Sequence, residues 1–328
     1  MPLHDVGALA FQAKRARFGN EVTYTVSRHI NPTNLCIHSC NFCDFAAKPK
    51  EPHAYELTEE AILTSLTDSA LDEVHIVGGL WPSWGLTRSL ELVHSIRERY
   101  PSLWIKAFTA VEIAFFAQQE RTDVESVLRL CLDAGVDALP GGGAEILTAR
   151  VHQALYRTKI GPQEWLAIHE KAHATGLVTN CTMLFGHIET DEEVVEHLTK
   201  LRELQSRTGG FMAFIPLAYL PGKTQVVPQM ATPERCLRIV ALSRLILDNI
   251  PHIKAYWPTL QPETASLALN FGADDLDGTL GHERIMQEAG TGAPASMTAR
   301  MMEVLIRDAG QVPKRRNGRF QTPLVTAV

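Results

Sequence analysis

Short β-branched or apolar runs recur along this chain at 22–30, 73–79, 103–109, 136–139, 178–185, 211–217 and 252–257, and helical patterns fill nearly every interval between them. Repeated strand-then-helix units close most naturally as a ring of parallel strands inside a ring of helices. With an eighth strand around 272–276, the expected fold is α/β, a (β/α)8 barrel of the TIM type. A chain of 328 residues with 45% hydrophobic residues suffices for one such core. No stretch rich in Pro, Gly or Ser divides it. We therefore expect a single domain over 1–328, with an N-terminal helix in 1–21, the barrel in 22–280, and C-terminal helices and a tail in 281–328.

Local signals agree. Gly161-Pro162 suits a helix start and Gly176 its left-handed end, with Trp165, Ile168 and Ala172 on one face between them. Thr58 followed by Glu59 and Glu60 has the cap and the charges that a helix N-terminus favours. In a barrel of this kind, function gathers on the loops after the strands. Here those loops hold Asn31 to Asn34, Gly78-Gly79, Thr109, Pro140 to Gly143, Gly186 to Glu189, and Pro216.

The net charge of −6 and the lack of a long basic stripe argue against nucleic acid as a partner. Lys314, Arg315, Arg316 and Arg319 form the only basic cluster, and they read as part of a solvated or disordered end. No stretch resembles a secretory signal or is long enough to span a bilayer, so a cytoplasmic protein without a membrane partner is expected. Six cysteines in so long a chain are not a disulfide framework, and three of them fall close together.

Those three lie in NPTNLCIHSCNFCDF, directly after the first strand, as CxxxCxxC. Three thiolates on one tight loop can each take one iron of a cubane cluster and leave the fourth iron open to a ligand. A structural zinc site with His38 or His29 as fourth ligand is the alternative, but no second Cys or His pair follows at matching spacing. Cys131, Cys181 and Cys236 are scattered among apolar residues and read as core thiols.

Other patterns are weaker. LPGGGAEIL matches neither phosphate-binding glycine motif. Glu145 within it suits ribose hydroxyls or the dipole of a helix start equally well. Gly222-Lys223-Thr224 lacks the upstream glycine of a Walker loop, and His187 with Glu189 lacks the PCxxC of zinc deaminases. Asp274, Asp275 and Asp277 suit either a magnesium ion or, more commonly, a loop that bonds its own amides.

With Phe42 between the second and third cysteines, the segment resembles the radical S-adenosylmethionine (SAM) superfamily. That resemblance implies a [4Fe-4S] cluster on Cys36, Cys40 and Cys43, with S-adenosyl-L-methionine chelated at the open iron and its amino group received near Gly78 and Gly79. Over about 28–313 the chain further resembles the aminofutalosine synthases of menaquinone biosynthesis, through RHINPTNLC, EVHIVGGL, KAFTAVEI, LPGGGAEI, TMLFGHIET, LDNIPHIKAYW and FGADDLDGT. The resemblance implies addition of the adenosyl radical to the small dicarboxylate 3-[(1-carboxyvinyl)oxy]benzoate, with reduced flavodoxin or ferredoxin as electron donor. The wider group includes the dehypoxanthine futalosine cyclase and a deazaflavin synthase subunit, and both remain alternatives.

A dicarboxylate calls for cationic or hydrogen-bonding groups. Arg28, His29, His75, Lys106, His187 and Lys254 are available. Strand alternation forbids Arg28 and His29 from both facing inward, and we select His29, His75, Lys106 and His187. The chain departs from the family pattern at Asp44, at Trp81-Pro82 and at LPGKT in the loop after the sixth strand, and the segment before the first strand looks short.

Overall fold

The computed structural model describes residues 1–67 and 71–322. Ten strands organise them: β1 (Glu21–Thr25), β2 (Ser27–Ile30), β3 (Glu73–Ile76), β4 (Trp104–Lys106), β5 (Ala138–Leu139), β6 (Val178–Phe185), β7 (Phe211–Ala218), β8 (His252–Ile253), β9 (Asp275–Gly278) and β10 (Val312–Arg315). Strands β2 to β8 form one parallel seven-stranded sheet in sequence order, with helices in the connections. Single bridges carry the sheet toward closure: Lys254, after β8, pairs with Asp275 in β9, and Arg28 in β2 pairs with Gly281 just beyond β9. The expected barrel is therefore present, with β9 as its loosely joined eighth strand.

The run at 22–30 is two strands. At Val26 the N–H donates to the Asp72 carboxylate (2.9 Å) while the carbonyl accepts the Asp72 N–H (2.8 Å), and this side-chain intrusion breaks the ladder. Upstream of the break, β1 leaves the barrel sheet and pairs with β9 and β10 in a separate three-stranded parallel sheet.

That second sheet corrects the reading of the C-terminal end. After the helix Ala299–Asp308, β10 runs alongside β1 in the register Glu21–Val312 to Tyr24–Arg315. The basic cluster is not a solvated tail. Lys314 pairs with Glu21 (2.9 Å), Arg315 with Asp72 (2.8 and 3.0 Å), and Arg316 is buried at 1% exposure against Asp275. The aspartate loop is corrected as well. Asp274 and Asp275 are buried ion-pair partners, and no three His, Cys, Asp or Glu side chains among the described residues gather around a single ion position.

The helix signals hold. A helix spans Leu3–Phe18. Thr58 caps Glu59–Ser65 by accepting the Ala61 N–H, and Pro162 opens Pro162–Ala174. Gly176 sits just past that helix at φ +94, where a side chain would be strained. Trp165, Ile168 and Ala172 are buried on its inner face, and Cys131, Cys181 and Cys236 are core thiols. Full burial of a large apolar side chain such as Ile105, Leu139, Phe185 or Phe214 contributes about 1.5–3 kcal/mol. No helix among the described residues is long and apolar enough to cross a membrane.

Candidate active site

The loop after β2 carries the three cysteines, and its shape is fixed mainly through backbone. Cys36 N–H donates to Ala47 O (3.1 Å), Ile37 N–H to Leu80 O (2.9 Å) and Ala47 N–H to Asn34 O (2.8 Å). The Lys48 ammonium reaches the carbonyls of Cys36 (2.8 Å) and His38 (2.7 Å), tying down the first part of the loop. All three thiols are unpaired and partly exposed, and the backbone amides of Phe45 and Ala46 point at the Cys43 sulfur. Burial pushes the Cys40 thiol up to about 12 and raises Cys43 as well, so both sulfurs stay protonated until a metal supplies opposing charge. A cubane takes one thiolate at each of three separate irons and does not require the ligands to converge on one point. Three free thiols on a loop stiffened from beneath suit that group.

Gly78 and Gly79 are explained first by packing. A Cβ on Gly79 would lie 2.1 Å from Leu35 O, and one on Gly78 would lie 3.2 Å from Thr33 O, so the pair lets the cluster loop rest on the end of β3. Gly79 N–H donates to Thr33 O (2.8 Å), and Gly78 N–H reaches the Glu112 carboxylate (3.2 Å). The glycines after β5 serve a similar purpose. Gly141 O accepts from Thr182 (2.6 Å) and Gly142 O from the Trp165 indole (3.2 Å), so both carbonyls are committed to the protein. Glu145 follows at φ +44, buried and paired with Lys159.

Below the mouth, His29, His75 and Lys106 occupy one register line across β2, β3 and β4. Paired residues of a parallel sheet point to the same side, so all three face inward and Arg28 does not. The His29 and His75 rings meet edge-on with centres 4.6 Å apart. Two residues before His75, on the same face of the strand, Glu73 accepts from Lys106 (2.7 Å). Across the interior Lys254 pairs with Asp277 (2.6 Å), and Arg316 bonds Asp275 through Nε (2.5 Å) and Nη2 (3.0 Å) while lying 3.8 Å from Glu73.

Burial dominates the electrostatics of this interior. It lowers His29 to about 4 and holds His75 well below the usual imidazole range, so both imidazoles are neutral at pH 7. Burial also lowers Lys106, although Glu73 opposes it. At Glu73 burial is overcome by Lys106, Lys254 and Arg316, which hold the carboxyl far below its usual range. Lys106, Lys254 and Arg316 are thus balanced by Glu73, Asp275 and Asp277. The His75 Nε2 is buried without a hydrogen-bond partner among the described residues, a costly state unless a ligand supplies one.

His187 does not join this line. Its side chain is fully buried, with Nε2 against Leu184 O (2.9 Å) and Nδ1 accepting the Ile188 N–H (2.7 Å), so it shapes its own loop. Of the two histidines considered as a fourth zinc ligand, His29 belongs to the barrel interior. Two departures from the family pattern meet in space. Asp44 accepts the Lys223 N–H (3.0 Å), and a Cβ on Gly222 would lie 2.2 Å from its carboxylate, so the cluster loop and the loop after β7 are clasped together.

Sequence reasoning missed Glu73, Lys48 and Lys159. Period-2 alternation back from His75 could have found Glu73. Nothing local announces the other two, which act through distant partners.

A loop of three thiols at the mouth of a parallel barrel defines a class, and residues 30–201 match the Radical SAM superfamily. The chain belongs to that superfamily, whose members use a [4Fe-4S] cluster and SAM. Residues 208–326 match the CofH/MqnC C-terminal region. The chain is 39% identical over 321 residues to the aminodeoxyfutalosine synthase of Thermus thermophilus, covering 95% of this chain and 86% of that protein. It is 36% identical over 330 residues to the cyclic dehypoxanthine futalosine synthase of Streptomyces coelicolor, covering 96% and 80%. The methylornithine synthase PylB has the same fold, with a TM-score of 0.72 at 17% identity over 95% of this chain and 89% of that one.

Proposed function

We propose that the protein is an aminodeoxyfutalosine synthase. The observation that carries this reading is the 39% identity to such a synthase over 95% of the chain. In this reading Cys36, Cys40 and Cys43 would hold a cluster that lends one electron to SAM, giving methionine and the 5′-deoxyadenosyl radical; addition of that radical to the vinyl carbon of 3-[(1-carboxyvinyl)oxy]benzoate, rearrangement onto the arene, loss of the carboxylate as bicarbonate with uptake of water, and return of the electron would give 6-amino-6-deoxyfutalosine.

The chain's own residues bind, orient and exclude water. Phe42 and the backbone at Gly78 and Gly79 flank the nucleotide, and Glu145 accepts from its ribose. His75 offers its unpaired Nε2 to a substrate carboxylate, with His29 and Lys106 on the same line and Lys254 across the barrel. Because the interior charges balance, directed donors rather than a net positive field hold the dianion. Such an enzyme works in a reducing cytoplasm, fed by flavodoxin or ferredoxin.

Anaerobic incubation of the reconstituted protein with SAM, dithionite and the enolpyruvyl benzoate tests the reading by mass spectrometry. Adenine retained in the product is expected. No adduct from the benzoate, but cyclisation of dehypoxanthine futalosine supplied in its place with free 5′-deoxyadenosine formed in step, would assign the cyclase instead, and colourless protein holding only zinc would remove both.

A further inference from the structure

The wall facing the cysteines is a turn that no motif announces. Residues His152–Tyr156 form a π-helical turn that docks on the cluster loop between Cys40 and Cys43. Asn41 N–H donates to Leu155 O (2.8 Å) and the Asn41 side-chain amide to Ala154 O (2.8 Å). The Tyr156 hydroxyl fastens the turn to Ile146 O (2.5 Å). Three residues beyond the turn lies Lys159, whose side chain is 10% exposed and whose ammonium lies 5.1 Å from the ring centres of both Phe42 and Tyr156.

A cation enclosed by two rings beside thiol ligands is poorly screened by water. Among the described residues its anionic partner is Glu145, and the ammonium lies over the ring of Phe42, the residue two after Cys40 and one before Cys43, on the side of the thiols. One-electron reduction adds a negative charge to an iron-sulfur cluster, and nearby fixed charge is among the factors that set its potential.

We infer that Lys159 is a positioning charge that makes the cluster easier to reduce, with Glu145 as its partial counterweight. This rests on the reading that Cys36, Cys40 and Cys43 hold the cluster. The pair Lys159–Glu145 then acts before any substrate chemistry, on the acceptance of the electron.

The test is a potentiometric titration of the reconstituted full chain without SAM, using dithionite and mediators and following the reduced cluster by electron paramagnetic resonance. At the wild-type midpoint, Lys159→Met is expected to lower the reduced-to-oxidised ratio about tenfold, equivalent to ~59 mV for one electron. Lys159→Arg should restore the wild-type value, and Glu145→Gln should shift the ratio the other way. Unchanged midpoints in both neutralised variants, or shifts of the same sign in both, would overturn the inference. If Lys159→Met cannot hold a cluster, Glu145→Gln decides, and a midpoint no higher than wild type overturns it. Wild-type protein lacking acid-labile sulfide would instead overturn the cluster reading on which the inference rests.

Discussion

The cysteine loop and the barrel interior lie one above the other but are held by opposite means. The loop is fixed by backbone bonds to Ala47, Leu80 and Asn34 and by a single lysine gripping two carbonyls. The interior is fixed by charged side chains on or just beyond β3, β4, β8, β9 and β10, each held by oppositely charged groups brought from other strands. The contrast teaches that cluster binding is separable from folding, while substrate binding is built from the groups that stabilise the barrel.

The sharpest way to break the comparison is Cys40→Ser. Iron, acid-labile sulfide and turnover should fall to background, while thermal unfolding of the metal-free protein stays close to wild type. Loss of the fold in that variant would refute the separation. Next in size is Arg316→Met. It takes from buried Asp275 its bidentate partner, leaving Lys254 at 3.8 Å, and from Glu73 one of two cations, and breaking a buried pair in this way costs about 3–5 kcal/mol, to be read by denaturant unfolding. Protein that remains folded should still assemble its cluster.

A third test uses pH. The folded pKa of His29 lies near 4, below the unfolded value of 6.5, so its contribution to stability is complete above 6.5 and is lost as pH falls toward 4. Unfolding of the metal-free wild type should therefore weaken on acidification through that window, and His29→Gln should remove part of the slope. An unchanged slope would mean that His29 is charged in the fold. The smallest expected effect is at His75. Replacement by Phe removes one donor, about 1–3 kcal/mol of substrate binding, and should raise KM for the benzoate without altering affinity for SAM. A fall in both together would place His75 at the nucleotide instead.

How legible these regions were in the sequence follows from the same difference. The cysteines could be read because their spacing is local, and the strand order because apolar runs and Gly or Pro signals alternate along the chain. His29, His75 and Lys106 were selected by position on their strands, and the register places them in line. His187 was selected by the same reasoning and turns out to bond its own loop, because its ring finds Leu184 O and Ile188 N–H within a few residues. The basic cluster at 314–319 looked solvated because its partners Asp72 and Asp275 are distant in sequence. The two glycines after β3 could be read as a ligand contact or a tight turn, and what the sequence could not show is that their missing side chains let the distant cluster loop pass.

The pairing of β10 with β1 also bears on how the chain is made. Val312 to Arg315 lie beside Glu21 to Tyr24, so a loop spanning almost the whole protein must close before that sheet exists. During synthesis Glu73 emerges long before Arg316, and Asp275 precedes it by 41 residues. Until the last strand arrives, the barrel holds buried carboxylates that lack one of their counter-ions. Pairing of β10 with β1 is thus the step that brings Arg316 to those carboxylates, and a chain cut before Arg316 is expected to unfold at lower denaturant than the full chain.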